Sequence, residues 1–176
     1  MRKIILALAL AVLLALAAAA TGAVKKGTSG DDVLVGTPNP DLIFAYAGND
    51  TITALGGNDV VLAGAGDDRA SGNGGVDVLL GGYGDDALNG GAGPDYLYGR
   101  AGEDTLNGDA GRDSLWAGWG ADTLSGGVGN DVLHAASDDG AVDSLDCGEN
   151  AGDWDVAVVR PNDTTVNCEK VVTLSP

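Results

Sequence analysis

An aspartate recurs at every ninth residue through the middle of this chain, in twelve consecutive units that run from Gly27 to His134. If a regular fold stacks these carboxylates, like charges lie side by side and destabilise it. A hard divalent cation between them turns the repulsion into ligation, and Ca²⁺ in particular prefers carboxylate and backbone carbonyl oxygens. The candidate ligands are the sixth residues of the units: Asp32, Asp41, Asp50, Asp59, Asp68, Asp77, Asp86, Asp95, Asp104, Asp113, Asp122 and Asp131.

The other positions of the unit indicate how these aspartates are placed. The first is always Gly or Ala, and the fourth is Gly in eleven units and Asn39 in the remaining one. Such residues favour a turn, because glycine adopts left-handed backbone angles readily. The last three positions suit a short strand, and the invariably apolar eighth position must face inwards because side chains alternate along a strand. The eighth residues are Leu34, Ile43, Ile52, Val61, Ala70, Leu79, Leu88, Leu97, Leu106, Leu115, Leu124 and Leu133.

The unit resembles the RTX (haemolysin-type) repeat, G-G-x-G-x-D-x-U-x, where U is apolar. The turns Gly81–Asp86, Gly90–Asp95 and Gly126–Asp131 match this pattern fully. The resemblance implies an all-β fold, a right-handed parallel β-roll or β-helix solenoid of six 18-residue coils, with Ca²⁺ between each turn and the turn two units later. The aspartates then form an odd column of Asp32, Asp50, Asp68, Asp86, Asp104 and Asp122, and an even column of Asp41, Asp59, Asp77, Asp95, Asp113 and Asp131.

The first four units depart from the family pattern at their second position, where the family has Gly. The residues found there are Thr28, Thr37, Tyr46 and Leu55. We therefore expect the sites near Asp32 and Asp41 to be the weakest.

Composition limits the classes of partner and the source of stability. The chain has 26 acidic and 9 basic residues, a formal net charge of −17, which excludes nucleic acid as a natural partner because phosphate binding needs basic patches. One leucine-sized side chain per unit makes a thin core, so metal binding must supply much of the folding free energy. We expect a chain that is disordered without calcium and folds on binding it.

The amino terminus predicts export. Met1-Arg2-Lys3 precedes seventeen apolar residues, 4–20, which end in Ala18-Ala19-Ala20. This is typical of a secretory signal peptide, here residues 1–20, with cleavage after Ala20 and after Ala23 as the alternative. We predict a secreted, extracellular protein that uses the general export route, with no stable membrane insertion after cleavage. Residues 21–26 are interpreted as a linker.

The residue inventory argues against catalysis. His134 is the single histidine of the chain, so the H-E-x-x-H motif of zinc proteases cannot be present. No Gly-Lys-Ser/Thr follows the glycine-rich turns, which excludes a phosphate-binding loop of that type. We predict that the protein is not an enzyme.

The outward positions, seven and nine, differ between odd and even units. Odd units are mostly polar there, whereas even units form an apolar face, which we define by Leu42, Phe44, Val60, Leu62, Val78, Leu80, Tyr96, Tyr98, Ser114, Trp116, Val132 and His134. An outward apolar stripe is usually a contact surface. The readings left open are cover by the C-terminal segment, a homodimer or extracellular protein partner, and a glycan stacked on Tyr96, Tyr98 and Trp116. The candidate contact residues are Phe44, Leu62, Leu80, Tyr96, Tyr98 and Trp116.

Residues 135–176 fall outside the nine-residue frame and are interpreted as an irregular cap on the open end of the roll, which a solenoid needs. Cys147 and Cys168 are the only cysteines. In an exported chain they are expected to form a disulfide, with a free thiol pair or a metal site as alternatives. The acidic residues of this segment either extend the columns or are solvated surface charge, and we favour the second for most of them. They are Asp138, Asp139, Asp143, Asp146, Asp153 and Asp155.

These observations predict four parts: signal peptide 1–20, linker 21–26, twelve-unit β-roll 27–134 and disulfide-bonded cap 135–176. The predicted function is a secreted, non-catalytic protein that binds multiple Ca²⁺ ions between stacked Gly/Asp turns. The alternative is an extracellular adhesin, matrix or partner-binding protein that uses the roll as a scaffold and the apolar face as its contact surface.

Overall fold

The computed structural model describes residues 22–135, 139–148 and 154–174. The predicted signal peptide, residues 1–20, lies outside this part. All regular structure in the described part is β-strand, which confirms the predicted all-β class. The first nine strands are β1 (Val24–Lys26), β2 (Val33–Thr37), β3 (Leu42–Ala47), β4 (Thr51–Leu55), β5 (Val60–Ala65), β6 (Arg69–Gly74), β7 (Val78–Tyr83), β8 (Ala87–Ala92) and β9 (Tyr96–Ala101). The remaining strands are β10 (Thr105–Ala110), β11 (Ser114–Trp119), β12 (Thr123–Ser125), β13 (Val132–Ala135), β14 (Ser144–Asp146), β15 (Val156–Val159), β16 (Thr164–Val166) and β17 (Lys170–Thr173).

Successive strands alternate between two parallel sheets, which makes the chain a solenoid. The odd-numbered strands form a nine-stranded sheet and the even-numbered strands form an eight-stranded sheet, each in chain order. Within the repeats each strand pairs with the strand 18 residues later, so that Tyr96 lies beside Ser114 and Tyr98 beside Trp116. The nine-residue period therefore sets both the sheet register and the stacking of equivalent side chains.

The solenoid has about eight turns, whereas six coils were predicted. The difference comes from segments outside the nine-residue frame that add strands to both ends. Val24–Lys26, assigned above to a linker, pairs with β3, and β14 to β17 continue the two sheets after the last unit. These segments add strands because they contain short apolar runs and because an uncovered last coil leaves unpaired backbone groups at its edge.

The core is a single layer of position-eight side chains between the two sheets, as predicted. Eleven of the twelve are at most 4% exposed, and Leu34 in the first unit is partly buried. Alanines at position one, such as Ala45 and Ala63, are also fully buried and fill the space at the strand ends. The thinness of this layer supports the view that apolar burial alone stabilises the fold weakly.

The turns depend on glycine where coils approach each other most closely. A Cβ at Gly129 would lie 1.4 Å from the carbonyl oxygen of Gly111 in the coil before, and the φ of Gly129 is 138°. At position two the same left-handed backbone is kept at several residues that replace the family's glycine: φ is 79° at Tyr46, 85° at Leu55 and 88° at Arg100. Such angles strain a residue that carries a side chain, so these departures cost stability without changing the path of the backbone.

The cap contains the predicted disulfide. Cys147 and Cys168 are bonded, with an S–S distance of 2.04 Å, and Cys147 is completely buried at the end of the apolar core. Closing a loop of this length stabilises a protein by roughly 3 kcal/mol on the chain-entropy model. In the described part of the chain no helix is long and apolar enough to cross a membrane.

Leu106→Ala is expected to lower the free energy of unfolding by about 2–4 kcal/mol, because Leu106 is fully buried and the thin core cannot refill the cavity. Thr105→Ala on the same strand is the control, since Thr105 is exposed, and should change stability by less than about 0.5 kcal/mol. Urea unfolding followed by circular dichroism in saturating calcium measures both. Equal effects of the two substitutions would contradict the assigned inward and outward positions.

Candidate metal site

The aspartates of the repeats form two hydrogen-bonded columns. In each column the backbone N–H of one aspartate donates to Oδ1 of the aspartate 18 residues later. In the odd column these N···Oδ1 distances run from 2.7 Å for Asp32 to Asp50 up to 2.9 Å for Asp86 to Asp104. In the even column they run from 2.7 Å for Asp41 to Asp59 up to 2.9 Å for Asp95 to Asp113. The structure therefore brings the twelve predicted residues together in the predicted two groups of six.

These carboxylates are buried, which is unusual for aspartate. Eleven of the twelve are at most 3% exposed, and Asp32 in the first turn is half-buried. Aspartate is almost never fully buried unless its charge is paired. A column of buried acids therefore requires a partner of opposite charge or protonation.

One oxygen of most of these carboxylates lacks a donor. Oδ1 accepts the backbone hydrogen bond of the column, but the second oxygen is buried and has no hydrogen-bond partner in nine aspartates. The nine are Asp50, Asp59, Asp68, Asp77, Asp86, Asp95, Asp104, Asp113 and Asp122. A buried, unsatisfied carboxylate oxygen costs free energy, and coordination of a cation removes that cost. The residues present thus fit a metal ion.

In units that open with glycine, the missing Cβ makes room for this second oxygen. A Cβ at Gly81 would lie 2.2 Å from Oδ2 of Asp86, and one at Gly72 would lie 2.3 Å from Oδ2 of Asp77. Both distances are far shorter than any real carbon–oxygen contact. The glycine that opens these units is therefore explained by the carboxylate at the end of the same turn.

The donor set selects the class of cation. No three His, Cys, Asp or Glu side chains converge on one point within residues 22–135, 139–148 and 154–174. An ion here would be held by carboxylates of successive coils and completed by backbone carbonyl oxygens. Oxygen-only coordination suits Ca²⁺, whereas zinc sites use mainly nitrogen and sulfur ligands.

Burial also changes the acidity of the columns. Burial, with the repulsion of neighbouring aspartates, raises the pKa of Asp59, Asp86, Asp95 and Asp113 to about 7, although the hydrogen bond from the preceding aspartate N–H acts in the opposite direction. For Asp77, Asp104 and Asp122 the pKa is raised to about 6, mainly by the same burial. Without a cation, the first four aspartates are only partly ionised at neutral pH.

The first two turns satisfy their carboxylates differently. Oδ2 of Asp32 accepts hydrogen bonds from the backbone N–H of Thr28, at 2.6 Å, and from its hydroxyl, at 3.0 Å. At Asp41 the backbone N–H of Thr37 donates to Oδ2 and the Thr37 hydroxyl donates to Oδ1. Threonine at position two thus supplies donors that most later turns lack. That these two sites bind a cation most weakly stays a prediction, and this bonding supports it.

Two acids of the cap are buried, although we expected most acids of this segment to be solvated surface charge. Asp143 is 2% exposed and Asp155 is 1% exposed, and both continue the columns. Asp139 and Asp146 lie at the surface, and Asp138 and Asp153 fall outside the described residues. A short sequence pattern marks both acids. Asp143-Ser144-Leu145-Asp146 and Asp155-Val156-Ala157-Val158 repeat the D-x-U-x end of the unit without its glycine turn.

Much of the apolar face is buried. Val60, Val78, Leu80 and Tyr98 are each at most 6% exposed and form a second apolar cluster with Leu42, Leu62 and Trp116. Trp116 is stacked between Tyr98, at 4.5 Å between ring centroids, and His134, at 5.3 Å. Since both ring faces of Trp116 are covered, a sugar cannot stack on it in this arrangement. Stacking and burial, which lowers the pKa of His134, also give this histidine a packing role.

In the presence of a chelator, the folded protein is expected to be more stable at pH 5.5 than at pH 8. A carboxylate whose folded-state pKa is raised from 3.8 to about 7 contributes stability at low pH, and that stability is lost as pH rises through about 7. Circular dichroism in EDTA across this range measures it as the fraction of the chain that keeps β-structure, because a chain that is largely disordered without calcium gives no clear urea transition. Saturating calcium is the control and should reverse the trend, because protons compete with the cation for the same oxygens. Stability in EDTA that rises with pH would contradict the assignment.

Comparison with known proteins agrees with this geometry. A family profile described as the RTX calcium-binding nonapeptide repeat (4 copies) matches residues 26–61, 53–82, 62–97, 80–115 and 98–133. The matches together span 26–133, more than half of the chain and nearly the whole of the twelve units. No curated protein matches the chain. With its nine-residue period, parallel solenoid and buried aspartate columns, this chain belongs to the RTX calcium-binding nonapeptide repeat family.

Proposed function

We propose that this protein is an exported, non-catalytic calcium-binding module that takes up several Ca²⁺ ions along the odd and even columns and folds on binding them. The observation that carries the proposal is the set of nine buried Oδ2 atoms without a hydrogen-bond partner. The twelve column aspartates are the proposed side-chain ligands, and the carbonyl oxygens of the turns supply the remaining coordination.

The fold explains why binding and folding would be coupled. In the unfolded chain the aspartates are solvated and 18 residues apart in pairs, whereas the native coil brings each pair together and buries it. Bare carboxylates in that arrangement repel each other, and a bound cation adds its binding free energy to the folded state alone. Extracellular calcium modules bind at Kd values of order 10⁻⁴–10⁻³ M, which would leave the chain unfolded inside a cell and folded outside it.

Two observations support export. The amino-terminal sequence has the basic start, apolar run and small-residue end of a signal peptide. The Cys147–Cys168 disulfide is of a kind that persists in oxidising, extracytoplasmic environments.

Asp86→Asn is expected to raise the calcium concentration at which β-structure appears by about tenfold, because it removes a ligand charge from the middle of the odd column. Its neighbour provides a matched control. Asp85 is exposed and its Oδ1 accepts a hydrogen bond from the Glu103 N–H at 2.8 Å, which Asp85→Asn can keep. Both substitutions remove one negative charge, so a difference between them separates ligation from net charge.

Calcium titration followed by circular dichroism measures these midpoints, with magnesium as a further control. A wild-type chain whose β-signal does not change on adding millimolar calcium would contradict coupled folding. Equal midpoints for the two variants would contradict the proposed ligand role of the columns.

The second candidate function is binding of a partner through the nine-stranded sheet, which carries the apolar face. Exposed aromatic rings on this sheet favour it. Tyr83 is 73% and Trp119 is 68% exposed, and each pairs in register with Ala101 from opposite sides. Tyr96 on the apolar face is 41% exposed. Large exposed aromatic rings are enriched at protein interfaces, so a second copy or an extracellular protein would contact these three before the buried members of the face.

Tyr96→Ala combined with Trp119→Ala is expected to lower self-association or partner binding without changing the amount of calcium bound, because neither side chain lies in a column. Sedimentation velocity over a concentration series measures self-association, and Thr105→Ala on the opposite sheet is the control. Identical sedimentation and identical partner capture for the variant and the wild type would rule this role out.

A further inference from the structure

The two aspartate columns continue beyond the last nonapeptide into the cap. In the odd column the backbone N–H of Asp122 donates to Oδ1 of Asp143 at 2.9 Å, and the N–H of Asp143 donates to Oδ1 of Asp163 at 3.1 Å. On the opposite edge, the N–H of Asp131 donates to Oδ1 of Asp155 at 2.7 Å. The hydrogen bond that defines a column step is thus preserved where the sequence repeat is lost.

Chain spacing separates these steps from the repeats. Asp122 and Asp143 are 21 residues apart, and Asp131 and Asp155 are 24 residues apart, against 18 within the roll. The matched repeats also end at residue 133. The second aspartate of a pair at this end of the molecule therefore lies outside the repeat units, and its place in the column follows from the fold alone.

The step from Asp122 to Asp143 has the two features that mark the roll steps. Both carboxylates are buried, at 1% and 2% exposure. Oδ2 of Asp122 is buried and has no hydrogen-bond partner. The same desolvation cost that calls for a cation between the coils therefore applies here.

Beside this step, a side chain of the cap accepts the hydrogen bond that a backbone carbonyl accepts in the repeat turns. Within the roll the N–H of the position-four glycine donates to a carbonyl of the next coil, as from Gly102 to Trp119 at 2.9 Å. At Gly120 the acceptor is instead Oδ2 of Asp139, at 2.7 Å, and Oδ1 of Asp139 accepts the Ala141 N–H at 3.0 Å. Asp139 thus holds the loop in place of a backbone carbonyl and adds negative charge beside the step.

We propose that the step between Asp122 and Asp143 is a further calcium site at the junction of the last odd unit and the cap, with these two carboxylates as its side-chain ligands. It rests on the proposed function of the columns. Asp143 directly precedes β14, which leads to Cys147 and the disulfide. Occupation of this site fastens the disulfide-bonded cap to the last coil, so the closed end of the solenoid forms only when calcium is present.

Native mass spectrometry of the full chain at saturating calcium tests the proposal by counting the ions on the compact species. Asp143→Asn is expected to bind one ion fewer than the wild type. Asp146→Asn is the matched control: Asp146 lies three residues further on and is exposed, and its carboxylate accepts hydrogen bonds from the Gly148 N–H and the Asn167 side-chain amide, both in the cap. It should bind the wild-type number.

Asp86→Asn separates this inference from the function on which it rests. A wild-type chain that binds no calcium overturns both. A loss of calcium in Asp86→Asn together with an unchanged count in Asp143→Asn overturns the cap site alone. Equal numbers of bound ions in Asp143→Asn and Asp146→Asn would also overturn the cap site alone.

A measurement on the wild type covers the case in which Asp143→Asn gives no compact species. Terbium replaces calcium in oxygen-rich sites, and its anomalous scattering in crystals locates each bound ion. A peak between the carboxylates of Asp122 and Asp143 is expected. Peaks along the columns of the roll without one at this step would overturn the proposal.

Discussion

A buried carboxylate with only one satisfied oxygen is the constraint on which the rest of this structure depends. The backbone N–H of each column aspartate bonds Oδ1 of the next, which aligns the coils but leaves Oδ2 without a donor in most turns. Nine such acids between residues 50 and 122 would be prohibitively unfavourable as bare charges in a desolvated stack. Cation ligation or protonation must therefore accompany folding. Calcium is the cation that this repeat family binds.

The apolar core and the columns have complementary roles. The core is one side chain deep, with residues such as Leu97 and Leu106 completely buried, and it decides which way each strand faces. The columns lie where the turns join the strands and decide how tightly successive coils approach. Glycine serves the second requirement, because a Cβ at Gly81 or Gly72 would occupy the space of the Asp86 or Asp77 carboxylate.

The departures from the repeat at the two ends of the roll have structural counterparts. Thr28 and Thr37 donate to the first two aspartates, so the roll begins with turns that are satisfied without a cation. At the other end the repeat is replaced by a cap in which Asp139 takes the place of a carbonyl and a disulfide takes over part of the constraint. A solenoid needs such ends, because its terminal coils have a neighbour on one side only.

The sequence by itself determined the period and the inward position eight, its resemblance to the RTX repeat implied the two columns of six aspartates, and a disulfide between the two cysteines was the expectation for an exported chain. The first two follow from local rules: a strict nine-residue spacing puts equivalent residues in register, and strand alternation assigns the inside. The tertiary structure decided what spacing could not show. Strands outside the frame extended six coils to about eight turns, and Asp143 and Asp155 joined the columns across 21 and 24 residues. Aromatic rings expected to face outwards stacked on one another, as Trp116 did between Tyr98 and His134. The physical reason is common to these cases: strand pairing and desolvation act between neighbours in space, whatever the length of chain that separates them.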